Sequence, residues 1–74
     1  MFDLKTLVEN TKIAFECCIK FAGEGKREDA LIQFGRGRAM LNILYDITGW
    51  NVTNFAPELK DLDNKAWIKL HREV

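Results

Sequence analysis

The 74 residues suffice for a single domain, here taken as residues 1–74, near the lower size limit for unaided folding. Eleven Lys plus Arg balance eleven Asp plus Glu, so the formal net charge is zero. This balance argues against broad nonspecific binding to nucleic acid or to an anionic membrane. A hydrophobic content of 47% without low-complexity tracts also argues against disorder.

The first predicted helix covers residues 3–22, with Asp3 favourable near its start and Gly23 ending it. Charged residues of alternating sign form one solvent ridge along it: Lys5, Glu9, Lys12, Glu16 and Lys20. Nearly every other residue from Ile13 to Ala22 is apolar. This apolar arc covers about 240°, whereas one packing contact needs only about 100°. We therefore expect the first helix to have two neighbours.

Two adjacent cysteines, Cys17 and Cys18, lie within this apolar half. Their Cα atoms are about 3.8 Å apart, below the usual disulfide range of about 4.4–6.8 Å, so a bridge between them is not expected. Free thiols, together with the lack of a recognisable signal peptide or long apolar run, indicate a reducing compartment. The expected location is the cytoplasm.

The second predicted helix covers residues 28–48, with Gly49 as the left-handed residue after its C-terminus. The short turn at 23–27 favours an antiparallel hairpin with the first helix. In the second helix, apolar residues recur at intervals of three and four residues. They form a stripe expected to face the core: Ala30, Leu31, Phe34, Gly37, Leu41, Leu44, Tyr45 and Thr48.

A second apolar stripe runs along roughly the opposite side of the same helix: Ile32, Ala39, Met40, Ile43 and Ile47. In a chain this short, one further helix can scarcely cover both stripes. We therefore expect two hairpins to associate into a dimeric four-helix core. The residues expected in that interface are Ile13, Cys17, Ile32, Ala39, Met40 and Ile43.

A third, amphipathic helix is predicted over residues 55–72, with Thr53 or Asn54 as its cap and Pro57 in its first turn. One face is apolar, with Trp67 beside it: Phe55, Leu59, Leu62, Ala66 and Leu70. Asp63 allows an alternative, in which it caps a restarted helix and splits the segment at 61–63. The predicted fold class is all-α, a three-helix domain.

The run Gly35-Arg36-Gly37-Arg38 stands in the middle of the second helix, where each glycine costs about 1 kcal/mol relative to alanine. In a structural interpretation, Gly35 and Ala39 let another helix approach closely, while Gly37 makes room for the first helix. The pattern leaves open whether the helix is continuous or kinked here.

Arg36 and Arg38 are flanked by apolar residues, and the planar guanidinium suits a carboxylate or a phosphate. They are candidates to bind an acidic group of a partner protein, a nucleotide phosphate or a nucleic-acid backbone. Alternatively, they extend past the core edge or pair with carboxylates of a second subunit. The spacing does not fit a phosphate-binding loop. Trp50, if exposed, is a candidate interface anchor.

Residues suited to catalysis are sparse. His71 is the only histidine, and the adjacent cysteines do not give a zinc set, so we expect no enzyme activity, metal or cofactor. The leading hypothesis is a small homo-oligomeric protein-binding module, an inhibitor, adaptor or regulator of the kind phages and mobile elements encode. The alternative is an oligomer that binds a nucleotide or nucleic acid through Arg36 and Arg38.

Overall fold

A computed structural model describes residues 3–49 and 56–73, and these residues form three α-helices without a β-strand. Helix α1 is Leu4–Gly23, α2 is Arg27–Thr48 and α3 is Glu58–Glu73. The all-α class and the packing expected of a three-helix domain are therefore confirmed. The dimeric core stays a prediction.

Capping residues mark the start of α1 and the ends of α1 and α2. The Asp3 carboxylate accepts a hydrogen bond from the Lys5 amide at 3.1 Å and so caps α1. Helix α1 ends at Gly23, as predicted, and includes it as the last helical residue, one position beyond the predicted bound of 22, because the Glu24 amide still bonds to the Lys20 and Phe21 carbonyls. The left-handed residue comes later, at Gly25 (φ 77°). Gly49 has φ 64° after α2, as predicted.

Contacts between the helices fix their directions. Helices α1 and α2 form the predicted hairpin, since a short turn joins them and the Phe15 and Phe34 ring centroids lie 6.1 Å apart. Lys12 Nζ lies 3.1 Å from Glu58 Oε1 at the start of α3. Near its end, the Lys69 side chain lies against Gly23. Helix α3 therefore runs parallel to α1 and antiparallel to α2.

The core lies where the three helices meet, and its buried hydrophobic residues are Leu7, Ala14, Phe15, Cys18, Ala22, Ala30, Leu41, Leu44, Ala56, Leu59, Ala66 and Leu70. Thr11 is also fully buried, and its hydroxyl donates to the Leu7 carbonyl at 2.7 Å, which satisfies the polar group. Cys17 and Cys18 are free thiols. Burial raises the pKa of the Cys18 thiol, which keeps it protonated and unreactive.

Three predictions about the elements need correction. Leu31 was predicted in the core but is 44% exposed, because the neighbouring Ala30 takes the core position and successive helical residues lie about 100° apart. The predicted start at 55 and the predicted caps Thr53 and Asn54 lie outside the described residues. Helix α3 begins at Glu58, so Ala56 and Pro57, which were predicted inside the helix, precede it. It also continues through 61–63, so the alternative of a split helix was wrong.

Candidate binding surfaces

The side of the hairpin that lies away from α3 carries the second apolar stripe. We call this side the hairpin face; it comprises Ile13 and Cys17 of α1 with Ile32, Gly35, Arg36, Ala39, Met40, Ile43, Asp46 and Ile47 of α2. Four isoleucines are exposed on it, Ile13 by 53%, Ile32 by 59%, Ile43 by 40% and Ile47 by 55%. No described residue of the chain covers them, because α3 packs on the other side of the hairpin.

A groove between α1 and α2 crosses this face and is lined by Asn10, Ile13, Ala14, Cys17, Gln33, Arg36 and Met40. It brings together three of the six predicted interface residues, Ile13, Cys17 and Met40, with the candidate anion ligand Arg36. The other three lie on α2 beside the groove and are exposed: Ile32, Ala39 and Ile43. The structure therefore places all six on one continuous face.

The two glycines of the central run have different surroundings. A Cβ atom added at Gly37 would lie 2.8 Å from Cε1 of Phe15, too close for any real contact. Gly37 thus makes room for α1, as predicted. A Cβ at Gly35 would meet no described atom within 4 Å, so no contact among the described residues requires a glycine there. Helix α2 runs unbroken through both positions, so of the two alternatives left open by the sequence the continuous helix is the one observed.

Arg38 is engaged within the chain. Its Nη1 donates to Asp63 Oδ2 at 2.8 Å, and its guanidinium lies 5.7 Å from the centre of the Phe34 ring. The Asp63 side chain is only 14% exposed, and its Oδ1 is buried without a hydrogen-bond partner among the described residues. The pair therefore ties α2 to α3. The pairing carboxylate belongs to this chain, whereas one interpretation of the sequence predicts a carboxylate of a second subunit.

Arg36 differs from Arg38 in its position and in its pairing, although both side chains are exposed. It is exposed, lines the groove of the hairpin face and makes no ion pair with a described residue. Trp50, the third candidate, lies outside the described residues. Of the three predicted partner-binding residues, Arg36 is thus the one whose position in the structure leaves its charge open to a partner.

Sequence reasoning missed a second surface, on α3. Trp67 is 51% exposed and stacks on His71 with ring centroids 4.0 Å apart, and Ile68 is 47% exposed. We call these three residues, with the neighbouring groove between α1 and α3, the α3 surface. The groove is lined by Ile19, Lys65, Ile68, Lys69 and Arg72. The sequence did contain a signal for the exposure of Trp67. Trp67 directly follows the buried Ala66, and successive helical residues lie about 100° apart, so the Trp67 side chain points away from the core.

The described residues contain no group of three or more His, Cys, Asp or Glu side chains placed to hold a metal ion. None of the three described helices combines the length and the apolar character needed to span a membrane. Comparisons with protein-family models, curated proteins and solved structures found no match to this chain. What the protein does is accordingly inferred from its own surfaces.

Proposed function

We propose that the chain is a small non-enzymatic protein-binding module that acts as a homo-oligomer and serves as an inhibitor, adaptor or regulator of a partner protein. The exposed isoleucines of the hairpin face support this proposal most strongly. Burying one such side chain contributes about 1.5–3 kcal/mol, and contiguous exposed apolar surface is typical of interaction sites. The free thiols suit a reducing compartment, and we propose the cytoplasm.

The two surfaces point in different directions and so suit different roles. We assign self-association to the hairpin face, where a second hairpin completes a four-helix core. The α3 surface then stays accessible in the assembly, and its exposed Trp67 is the residue type most enriched among energetically dominant interface positions. In this assignment, the partner protein contacts Trp67 and Ile68.

The alternative, a nucleotide or nucleic-acid site built from Arg36 and Arg38, gains less support. It needs two guanidinium groups that are open to an anion. Arg38 already binds Asp63 at 2.8 Å and lies on the side of α2 that faces α3, whereas Arg36 lies on the hairpin face. The two arginines thus do not converge on one pocket.

Replacing Ile43 with aspartate tests self-association. We expect Ile43→Asp to dissociate the oligomer, because each copy loses the burial of the exposed 40% of this side chain, about 0.6–1.2 kcal/mol, and places a carboxylate in an apolar interface, which together raise the dimer Kd at least tenfold. Ile43 is already 40% exposed, so the monomer keeps its helical content. Sedimentation equilibrium measures the mass, and circular dichroism the helicity.

The matched control is Ile68→Asp, the same change at an isoleucine that is 47% exposed but lies on the α3 surface. This control should keep the oligomeric mass. If Ile43→Asp retains both the stability and the mass of the wild type, the hairpin face is not the site of self-association.

Replacing Trp67 with alanine tests the assignment of the partner. A tagged wild-type chain should capture a specific protein from lysate of the native host, and Trp67→Ala should reduce this capture at least tenfold because it removes the central apolar anchor. The variant should keep its oligomeric mass. Undiminished capture by Trp67→Ala would contradict the role of the α3 surface. Capture of nucleic acid that falls steeply with salt would instead support the anion-binding alternative.

A further inference from the structure

Four residues of α2 follow one another at intervals of four along the hairpin face: Gly35, Ala39, Ile43 and Ile47. Residues at this spacing form one continuous ridge on a helix. The N-terminal half of the ridge is small and the C-terminal half is large. All four positions are exposed, Ile43 by 40% and Ile47 by 55%, and a Cβ at Gly35 would meet no described atom within 4 Å.

We infer that two copies of the chain pair through antiparallel α2 helices centred at the level of Leu41. This inference rests on the self-association proposed above and specifies its register. In an antiparallel pair, residues equally distant from the centre on its two sides lie at the same level. Ile47 therefore packs against Gly35 of the partner subunit, and Ile43 packs against Ala39 of the partner subunit. Each large half of the ridge fills the space left by the partner's small half.

The charges on the face agree with the same register. Arg36 and Asp46 lie five residues before and five residues after Leu41, so each Arg36 stands level with Asp46 of the partner subunit. Both side chains are exposed, and neither forms an ion pair with a described residue. Two equivalent ion pairs flank the centre of the dimer. A parallel pairing in register would instead set Arg36 against Arg36 of the partner subunit.

A second copy also explains why a glycine, which weakens a helix, stands at position 35 of α2. A glycine within a helix destabilises it relative to alanine, and a Cβ at Gly35 would meet no atom of the described residues within 4 Å. In the dimer, the partner's Ile47 takes the space above Gly35. An unrelated partner would not require the small half of the ridge to mirror the large half, which is why we assign this face to a second copy.

Charge reversal tests the register. The variants are Arg36→Asp, Asp46→Arg and the double variant that carries both changes. Each single reversal places like charges face to face in both ion pairs, so we expect the dimer Kd to rise about tenfold or more. The double variant restores opposite charges and should return the Kd to within about threefold of the wild type. Sedimentation equilibrium gives the Kd, and circular dichroism confirms that each variant folds.

The outcomes separate the register from the self-association on which it rests. If the wild type is dimeric but the double variant shows the two single effects added together, the antiparallel register is wrong. Self-association would still hold in that case. A wild type that is monomeric would overturn both.

A second variant, Gly35→Leu, covers the case in which a charge variant fails to fold. Leucine is a good helix former and no described atom lies within 4 Å of a Cβ at Gly35, so the monomer should keep its helicity. The dimer Kd should rise more than tenfold, because the leucine side chain takes the position of the partner's Ile47. An unchanged Kd would contradict the inferred contact.

Discussion

Replacing Gly37 with alanine is expected to lower the free energy of unfolding, whereas the same replacement at Gly35 raises it. Both glycines lie inside α2, so both variants gain the same helix propensity, about 1 kcal/mol. At Gly37 the new methyl group would meet the Phe15 ring at 2.8 Å, and Phe15 is fully buried and cannot move aside into solvent. Such overpacking costs about 1–3 kcal/mol. At Gly35 the methyl group meets no described atom.

Because the propensity gain is common to both variants, the difference between their unfolding free energies measures the overpacking at Phe15 alone. We expect this difference to be about 1–3 kcal/mol, with Gly35→Ala the more stable protein. Urea denaturation at a protein concentration below the dimer Kd gives the values without a contribution from association. Equal stabilisation by the two changes would show that α1 does not approach α2 closely at Gly37.

Removing the Arg38 side chain should destabilise the monomer by about 1–2 kcal/mol, since Arg38→Ala leaves a mostly buried carboxylate without its ionic partner. The Asp63 side chain is 14% exposed, and water therefore replaces the lost hydrogen bond only in part. Arg36→Ala should change the stability of the monomer by less than about 0.5 kcal/mol, because Arg36 is exposed and makes no ion pair with a described residue.

A double-mutant cycle with Arg38→Ala and Asp63→Ala isolates the interaction between the two side chains, with Arg36→Ala as the control for loss of a positive charge. The coupling free energy from urea denaturation should be stabilising and of order 1 kcal/mol. If Arg38→Ala and Arg36→Ala proved equally mild, the Arg38 guanidinium would not hold α2 to α3, and it would again be open to an external anion.

Local features of the sequence sufficed to predict the helices. Apolar spacing at three and four located α1 and α2, and the left-handed Gly49 ended α2 where expected, because these signals depend only on neighbouring residues. The role of Gly37 also followed from its position on the core stripe. Likewise, the six residues predicted for self-association share one face because they were chosen by their angles around two helices whose packing is a simple hairpin.

Features that depend on how α3 packs against the other helices could not be predicted from the sequence. Asp63 was interpreted as a possible cap, yet it pairs with Arg38, which is 25 positions away along the chain. The spacing of residues within one helix does not give the register between two helices, so neither partner identified the other. Trp67 was missed for a similar reason, since its exposure depends on which edge of α3 faces solvent. Leu31 was assigned to the core for a related reason, because the sequence does not show whether a neighbouring helix covers that position.

The mass of the wild-type assembly tests the central claim most directly. Native mass spectrometry of protein purified from its own host reports the number of subunits and any retained ligand together. The hairpin face and its inferred register predict a species of twice the 8.6 kDa chain mass, with no added mass from a nucleotide. A monomer of 8.6 kDa at every concentration, or a species that carries the mass of a nucleotide, would contradict this account.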